Sequence, residues 1–118
     1  MPNGLSELEK RVIRAQDLGQ KWAELHEVWL QLDRDEKNYL ASLMNDLANT
    51  TEGLSETKLE RLARGSVQFR DYVRRICIAK GEELRAKVRY ENARDYFEAA
   101  RSLEATERQK VKTLGVFP

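Results

Sequence analysis

The 118-residue chain has few of the residues that break helices or tie segments together. Its two prolines are at positions 2 and 118, so no proline interrupts a helix between them. The single cysteine, Cys77, excludes an internal disulfide and a cysteine-rich zinc site. No apolar run approaches the roughly 20 residues that span a bilayer, and the stretch MPNGLSELEK lacks the pattern of a signal peptide. We therefore expect a cytoplasmic protein with no membrane partner.

Charged residues make up 35% of the chain, and they are unevenly distributed. Residues 1–57 carry 6 basic and 11 acidic side chains, whereas residues 58–89 carry 10 basic and 4 acidic ones. Abundant Glu, Lys, Arg, Leu and Ala is typical of long helices and coiled coils. An acidic first half and a basic segment favour antiparallel packing, although each exposed ion pair contributes only about 0–1 kcal/mol.

The same four letters precede both predicted helices, as Gly4-Leu5-Ser6-Glu7 and as Gly53-Leu54-Ser55-Glu56. The repeat is a trace of internal duplication or, as we favour, helix-start chemistry that arose twice. Ser6 can cap one helix and Ser55 the other, and Glu9 would complete a capping box with Ser6. We predict helix one over residues 6–48, a turn at 49–54 and helix two over 55–114.

Three features could interrupt these helices or end them. Gly65 could break helix two, because Ser66 can cap a restart. The run Asp33–Glu36 could similarly begin a new helix within helix one. Gly115 suits the left-handed position after a helix, which predicts a Schellman end beyond Leu114.

Each predicted helix has a stripe of mostly apolar residues, both large and small, at alternating spacings of four and three. This is the heptad pattern of a packed seam. On helix one the stripe is Leu18, Trp22, Leu25, Trp29, Leu32, Glu36, Tyr39 and Leu43. On helix two it is Leu62, Gly65, Phe69, Tyr72, Ile76, Ala79, Glu83, Ala86, Tyr90, Ala93, Phe97 and Ala100. The glutamates on the stripes are interpreted as polar residues that set the register.

These patterns predict an all-α fold, a single domain in which two long helices form an antiparallel, coiled-coil-like hairpin. A turn centred near Thr51 would place Trp22 opposite Lys80–Gly81 and Val12 opposite Tyr90. The alanines of helix two would receive helix one, and helix two would extend beyond it from about Ala100.

A thin hairpin buries little surface, so we expect a homo-oligomer, such as a dimer that forms a helical bundle. The residues predicted to form the assembly surface lie on a second stripe of helix two or on its overhang. They are Cys77, Gly81, Leu84, Val88, Phe97 and Leu103.

Catalysis is not predicted. A turn near Thr51 would bring His26 close to Cys77, a potential base and nucleophile. We interpret both instead as packing residues, because His26 lies between two tryptophans and Cys77 lies on an apolar stripe. The sequence has no P-loop, no dinucleotide fingerprint and no Glu-x-x-His motif, so neither a cofactor nor a metal is expected.

Nucleic-acid binding is the main alternative to protein binding. Five arginines of helix two could follow phosphates or bind an acidic partner: Arg70, Arg74, Arg75, Arg85 and Arg89. The opposing interpretation is that the acidic first helix neutralises them. The tail Leu114–Pro118 could anchor a partner or fold back on a helix.

The segment RAKVRYENARDYFEAARSLEATERQK resembles small all-helical proteins encoded in bacteriophage and prophage genomes. The resemblance covers roughly residues 54–110. It rests on Gly53-Leu54-Ser55, Tyr72, Ala86, Val88, Tyr90-Glu91, Ala93, Phe97-Glu98, Arg101-Ser102 and Glu104-Ala105. It implies an auxiliary phage protein without catalytic residues. We therefore expect a non-catalytic protein–protein interaction module that acts on a replication, recombination or defence factor of the phage or host.

Overall fold

The structure is a computed structural model that describes residues 4–114. Those residues form three helices and no strand: α1 is Glu7–Thr50, α2 is Glu56–Arg64 and α3 is Val67–Thr113. The all-α prediction is confirmed, and the two long helices, α1 and α3, pack against each other. Within residues 4–114, none of the helices combines the length and apolar character needed to cross a membrane.

Serine caps begin α1 and α2, as their shared letters predicted. The backbone N–H of Glu9 donates to Ser6 Oγ at 3.1 Å, and that of Lys58 donates to Ser55 Oγ at 3.3 Å. Gly53 in the intervening loop has a φ of +80°, a left-handed conformation in which a side chain would be strained. The glycine and the serine thus turn the chain and start the next helix.

The second predicted helix is divided at Gly65 and Ser66. Gly65 donates its N–H to the carbonyl of Arg61 at 3.1 Å, which closes α2. Ser66 Oγ donates to the Ala63 carbonyl at 2.6 Å and accepts from the Phe69 N–H at 3.2 Å, so one hydroxyl ends α2 and caps α3. By contrast, α1 continues without a break through Asp33–Glu36.

The chain divides into two compact units, which we describe separately. The central unit is Glu24–Glu83, and the terminal unit combines residues 4–23 with residues 84–114. The central unit has 9 basic and 12 acidic side chains, and the terminal unit has 12 basic and 8 acidic ones. The terminal unit is therefore the more positive of the two.

The core of the central unit takes one buried residue from each helix, Leu40, Ala63 and Phe69, surrounded by Tyr39, Leu43, Met44 and Leu47. Ala63 is completely buried, so α2 packs through a methyl group. Leu62, which we predicted on the seam, is 50% exposed. That prediction was wrong because the break at Gly65 changes the phase of α2, so the period of α3 cannot be extended across it.

Aromatic rings fix the packing of α1 on α3 in each unit. In the central unit, the rings of Tyr39 and Tyr72 stack at 4.5 Å, and Tyr72 donates its hydroxyl proton to the Leu32 carbonyl at 2.7 Å. In the terminal unit, Trp22 stacks on Tyr90 at 5.5 Å. Each ring pair therefore joins one residue of α1 to one of α3.

The predicted register was wrong by about ten residues of α3 at Trp22. Trp22 stacks on Tyr90 rather than lying opposite Lys80–Gly81. Val12 lines one groove with both Tyr90, its predicted neighbour, and Phe97. The cause is α2, whose nine residues lengthen the connection between the long helices. A residue of α1 therefore meets a residue of α3 that lies further along the chain.

Candidate functional site

The exposed apolar face of α3 contains much of the predicted assembly surface. In the terminal unit, Leu84 and Val88 are 45% and 55% exposed. Together with Arg85 and Arg89 they line a shallow groove of about 370 Å³. The face of α3 that packs on α1 is a different one, which contains Ala86 and Tyr90. Packing on α1 therefore leaves Leu84 and Val88 exposed.

The other predicted assembly residues lie in different surroundings. Cys77 and Gly81 belong to the central unit, where Cys77 is exposed and Gly81 is half-buried. Phe97 is half-buried and lines grooves shared with α1, so it contributes to the packing of the terminal unit. Leu103 is 66% exposed on the part of α3 whose residues 101–110 are all exposed.

The five predicted arginine contacts, Arg70, Arg74, Arg75, Arg85 and Arg89, are all exposed. The Arg74 guanidinium lies 3.9 Å from the Asp71 carboxylate, and that of Arg75 lies 5.4 Å from the centre of the Tyr72 ring. Within residues 4–114, none of the five pairs with a carboxylate of α1. The acidic first helix therefore does not neutralise them by direct ion pairs.

A polar cluster that the sequence did not predict lies between α1 and α3 in the central unit. His26 Nδ1 is 2.9 Å from Glu83 Oε1, and Lys80 Nζ is 3.4 Å from Glu83 Oε2. Glu83 is only 3% exposed. Lys80 Nζ also lies 3.9 Å from the centre of the Trp29 ring, a cation–π contact. The cluster joins a buried carboxylate to partners on both helices.

The same cluster gives His26, the potential base, a partner other than Cys77. His26 is hydrogen-bonded to Glu83, and its ring lies 5.6 Å from that of Trp29. Cys77, which we predicted to be a packing residue, is exposed. Among residues 4–114, no group of three or more His, Cys, Asp or Glu side chains is arranged to hold a metal ion.

Burial raises the pKa of the Tyr72 hydroxyl above its usual value of 10.0. The Asp35 carboxylate acts in the same direction, because it opposes a negative charge on the phenol, whereas Arg75 acts in the opposite one. With its bond to the Leu32 carbonyl, Tyr72 is therefore a neutral donor that supports the central unit.

The terminal unit contains a basic groove that the sequence analysis did not identify. It has a volume of about 300 Å³ and is lined by Glu7, Lys10, Arg11, Arg14, Ala93 and Tyr96. Three basic residues of α1 thus lie beside a tyrosine of α3 that is 69% exposed. The spacing of Lys10 and Arg14, one turn apart, could have indicated this groove. The net acidity of residues 1–57 concealed it.

The predicted Schellman end at Gly115 lies outside the described residues, as does most of the predicted tail anchor Leu114–Pro118. Leu114 itself is 77% exposed. No protein-family model, curated protein or solved structure matches this chain.

Proposed function

We propose that this protein is a non-catalytic helical module that binds another protein through the outer face of α3. The observation that supports it is the pair Leu84 and Val88, which remain about half exposed and line one groove with Arg85 and Arg89. Two neighbouring aliphatic side chains with charged neighbours are typical of a surface that receives an amphipathic helix.

The energetics define the partner that this surface fits. Full burial of a leucine or valine contributes about 1.5–3 kcal/mol, so covering the exposed halves of Leu84 and Val88 contributes roughly 2 kcal/mol. A stable complex needs further contacts, and Arg85 and Arg89 select for carboxylates beside the partner's apolar stripe. The proposed partner is therefore a helix with apolar residues at spacings of three and four and acidic flanks.

If the chain self-associates, as in a dimeric helical bundle, the partner helix comes from a second copy of the chain. The resemblance to phage-encoded helical proteins suggests a second partner, a replication, recombination or defence factor of the phage or its host. Both partners use the same contact chemistry, and a variant that disrupts the α3 face would weaken both.

The test is affinity capture from the source cell after nuclease treatment, with the wild-type chain and with Leu84→Glu/Val88→Glu as baits. The wild type should retain a defined set of proteins, and the double variant should lose it because each glutamate opposes burial and repels acidic flanks. Val28→Glu is the matched control, since Val28 is also about half exposed but lies on α1, outside the groove. Equal capture by all three baits would contradict the proposal.

Self-association is measured on the same variants by sedimentation velocity across micromolar concentrations. The wild type should form a dimer, and Leu84→Glu/Val88→Glu should be monomeric with an unchanged helical circular dichroism spectrum. A wild type that is strictly monomeric throughout would remove the second copy as a partner.

The second candidate function is nucleic-acid binding by the exposed arginines of α3. The absence of ion pairs at Arg70, Arg85 and Arg89 within residues 4–114 favours it, because unpaired guanidinium groups are available to phosphates. If these arginines form the nucleic-acid surface, binding depends on salt and is abolished by Arg70→Glu with Arg74→Glu. Unchanged affinity of that variant would remove Arg70 and Arg74 from any nucleic-acid surface.

A further inference from the structure

We propose that the basic groove of the terminal unit binds single-stranded nucleic acid, with Tyr96 stacking on a base and Lys10, Arg11 and Arg14 contacting the phosphates. The site is distinct from the α3 face of Leu84 and Val88, so it does not depend on the proposed protein-binding function. It also differs from a site at Arg70 and Arg74, which belong to the central unit.

The first observation is the local charge. Three of the six lining residues are basic and one is acidic, so the groove is positive. Lys10 Nζ lies 3.9 Å from Glu7 Oε1, whereas Arg11 and Arg14 have no ion pair within residues 4–114. The unit around the groove also has an excess of basic residues. Phosphates would therefore be attracted to this groove, and two guanidinium groups can pair with them without breaking an existing ion pair.

The second observation is the exposed tyrosine. Single exposed aromatic residues are common on protein surfaces and require no explanation. Tyr96 differs because the residue is 69% exposed and borders a groove whose other wall is basic. A ring beside a positive track is the arrangement that binds unpaired bases, which stack on it regardless of their sequence.

The chemistry favours a single strand over a duplex. In a duplex the base faces are covered by their neighbours, so Tyr96 could reach none of them without unstacking the helix. A single strand can place one base on Tyr96 while the adjacent phosphates lie along Arg11 and Arg14.

The experiment measures fluorescence anisotropy of labelled 20-nucleotide dT and U strands, and of a duplex of equal length, with the full chain at several salt concentrations. We expect binding to both strands that is at least fivefold tighter than binding to the duplex. Tyr96→Ala should weaken single-strand binding at least fivefold, because it removes the stacking contact. Tyr96→Phe keeps the ring and should stay within about twofold of the wild type.

The charges are tested by Arg11→Gln with Arg14→Gln, compared with Arg70→Gln and Arg74→Gln. Neutralising two phosphate contacts should reduce the slope of log affinity against log salt by about 1.4, since each single-strand contact contributes about 0.7. The central-unit variant should keep the wild-type slope. Leu84→Glu/Val88→Glu should also bind strands normally, so a failure of the protein-binding proposal can be distinguished from a failure of this one.

Three outcomes would overturn the inference. One is no measurable binding of either strand at about 50 mM salt. Another is equal binding of duplex and single strand together with no effect of Tyr96→Ala, which would indicate general attraction of polyanions. The third is that the Arg70 and Arg74 variant loses the dependence of affinity on salt while the Arg11 and Arg14 variant keeps it.

Discussion

His26 of α1 and Glu83 of α3 are joined by a 2.9 Å contact between Nδ1 and Oε1, although the glutamate is almost entirely buried. A buried carboxylate is costly unless polar partners compensate for its lost hydration. Here one compensating partner comes from the opposite helix. The contact therefore holds α1 in register with α3 within the central unit, because a shift of either helix would separate the two groups.

We predict that removing His26 destabilises the protein more than removing both residues. His26→Leu should lower the free energy of unfolding by about 1–3 kcal/mol, because the Glu83 carboxylate loses a partner while it remains buried. His26→Leu with Glu83→Leu should recover part of that loss, since an apolar pair needs no compensation. Urea unfolding of both single variants and the double variant measures the coupling. If the effects of the two single substitutions add up to that of the double variant within about 0.5 kcal/mol, the predicted coupling is contradicted.

Tyr72 predicts a loss of stability in alkaline solution. Its pKa is raised in the folded protein above 10.0, so above pH 10 the unfolded chain releases the phenol proton before the folded chain does. The contribution of Tyr72 is therefore complete below pH 10 and is lost as pH rises towards the folded pKa. The comparison is Tyr72→Phe, which should cost about 1 kcal/mol at pH 7 through loss of the bond to the Leu32 carbonyl.

The measurement is the difference in unfolding free energy between wild type and Tyr72→Phe from pH 7 to pH 11. That difference should shrink above pH 10. Tyr96→Phe is the control, because Tyr96 is 69% exposed and loss of its hydroxyl should change the unfolding free energy little at pH 7. A constant difference for Tyr72 across the range would mean that its phenol titrates alike in both states.

The seam of the fold was predictable because periodicity depends only on local sequence. Tyr72, Ala79, Glu83 and Ala86 were predicted on the seam, and all are buried. The register was not predictable, because it depends on how many residues the connection between the helices uses. That number depends on whether the helix breaks at Gly65 and Ser66. The sequence does not decide this, because a serine that can cap a helix is also compatible with an unbroken one.

The candidate site was predictable only in part for the same reason. The exposure of Leu84 and Val88 follows from their position off the seam, which the sequence contains. The contact between His26 and Glu83 depends on the register, so the sequence led instead to a pairing with Cys77. The basic groove needs Arg14 and Tyr96, which are 82 positions apart, to lie on the same side of two packed helices. Only the tertiary structure supplies that information.

The effect of Gly19→Ala on stability should change sign when Tyr90 is removed. A Cβ added at Gly19 would lie 3.0 Å from Cε1 of Tyr90, so the ring, which stacks on Trp22, would have to give way by a few tenths of an ångström. Gly19→Ala should therefore destabilise the protein and alter tryptophan fluorescence. In a Tyr90→Ala background the obstacle is gone, and Gly19→Ala should stabilise by up to about 1 kcal/mol through helix propensity. Destabilisation in both backgrounds would contradict the role of the ring.

The hydrogen bonds of Ser66 at the junction between α2 and α3 should contribute to the stability of the protein. Its hydroxyl accepts from the Phe69 N–H and donates to the Ala63 carbonyl, and both neighbours are core residues of the central unit. Ser66→Ala should lower the unfolding free energy by about 1–2 kcal/mol, because the Phe69 N–H loses its capping oxygen and the Ala63 carbonyl keeps only the Ser66 N–H. Ser66→Asp should retain more stability than Ser66→Ala, since its carboxylate can accept from the same N–H and favours a helix N-terminus.

The matched control for this junction is Ser42→Ala, an exposed position inside α1 where alanine has the higher helix propensity. Denaturant unfolding should give a neutral or slightly stabilising effect there, in contrast to the loss at Ser66. If Ser66→Ala were as harmless as Ser42→Ala, the capping bonds would not hold α2 and α3 apart. The two segments would then be able to join into the single long helix that the heptad pattern predicts, with Leu62 brought onto the seam.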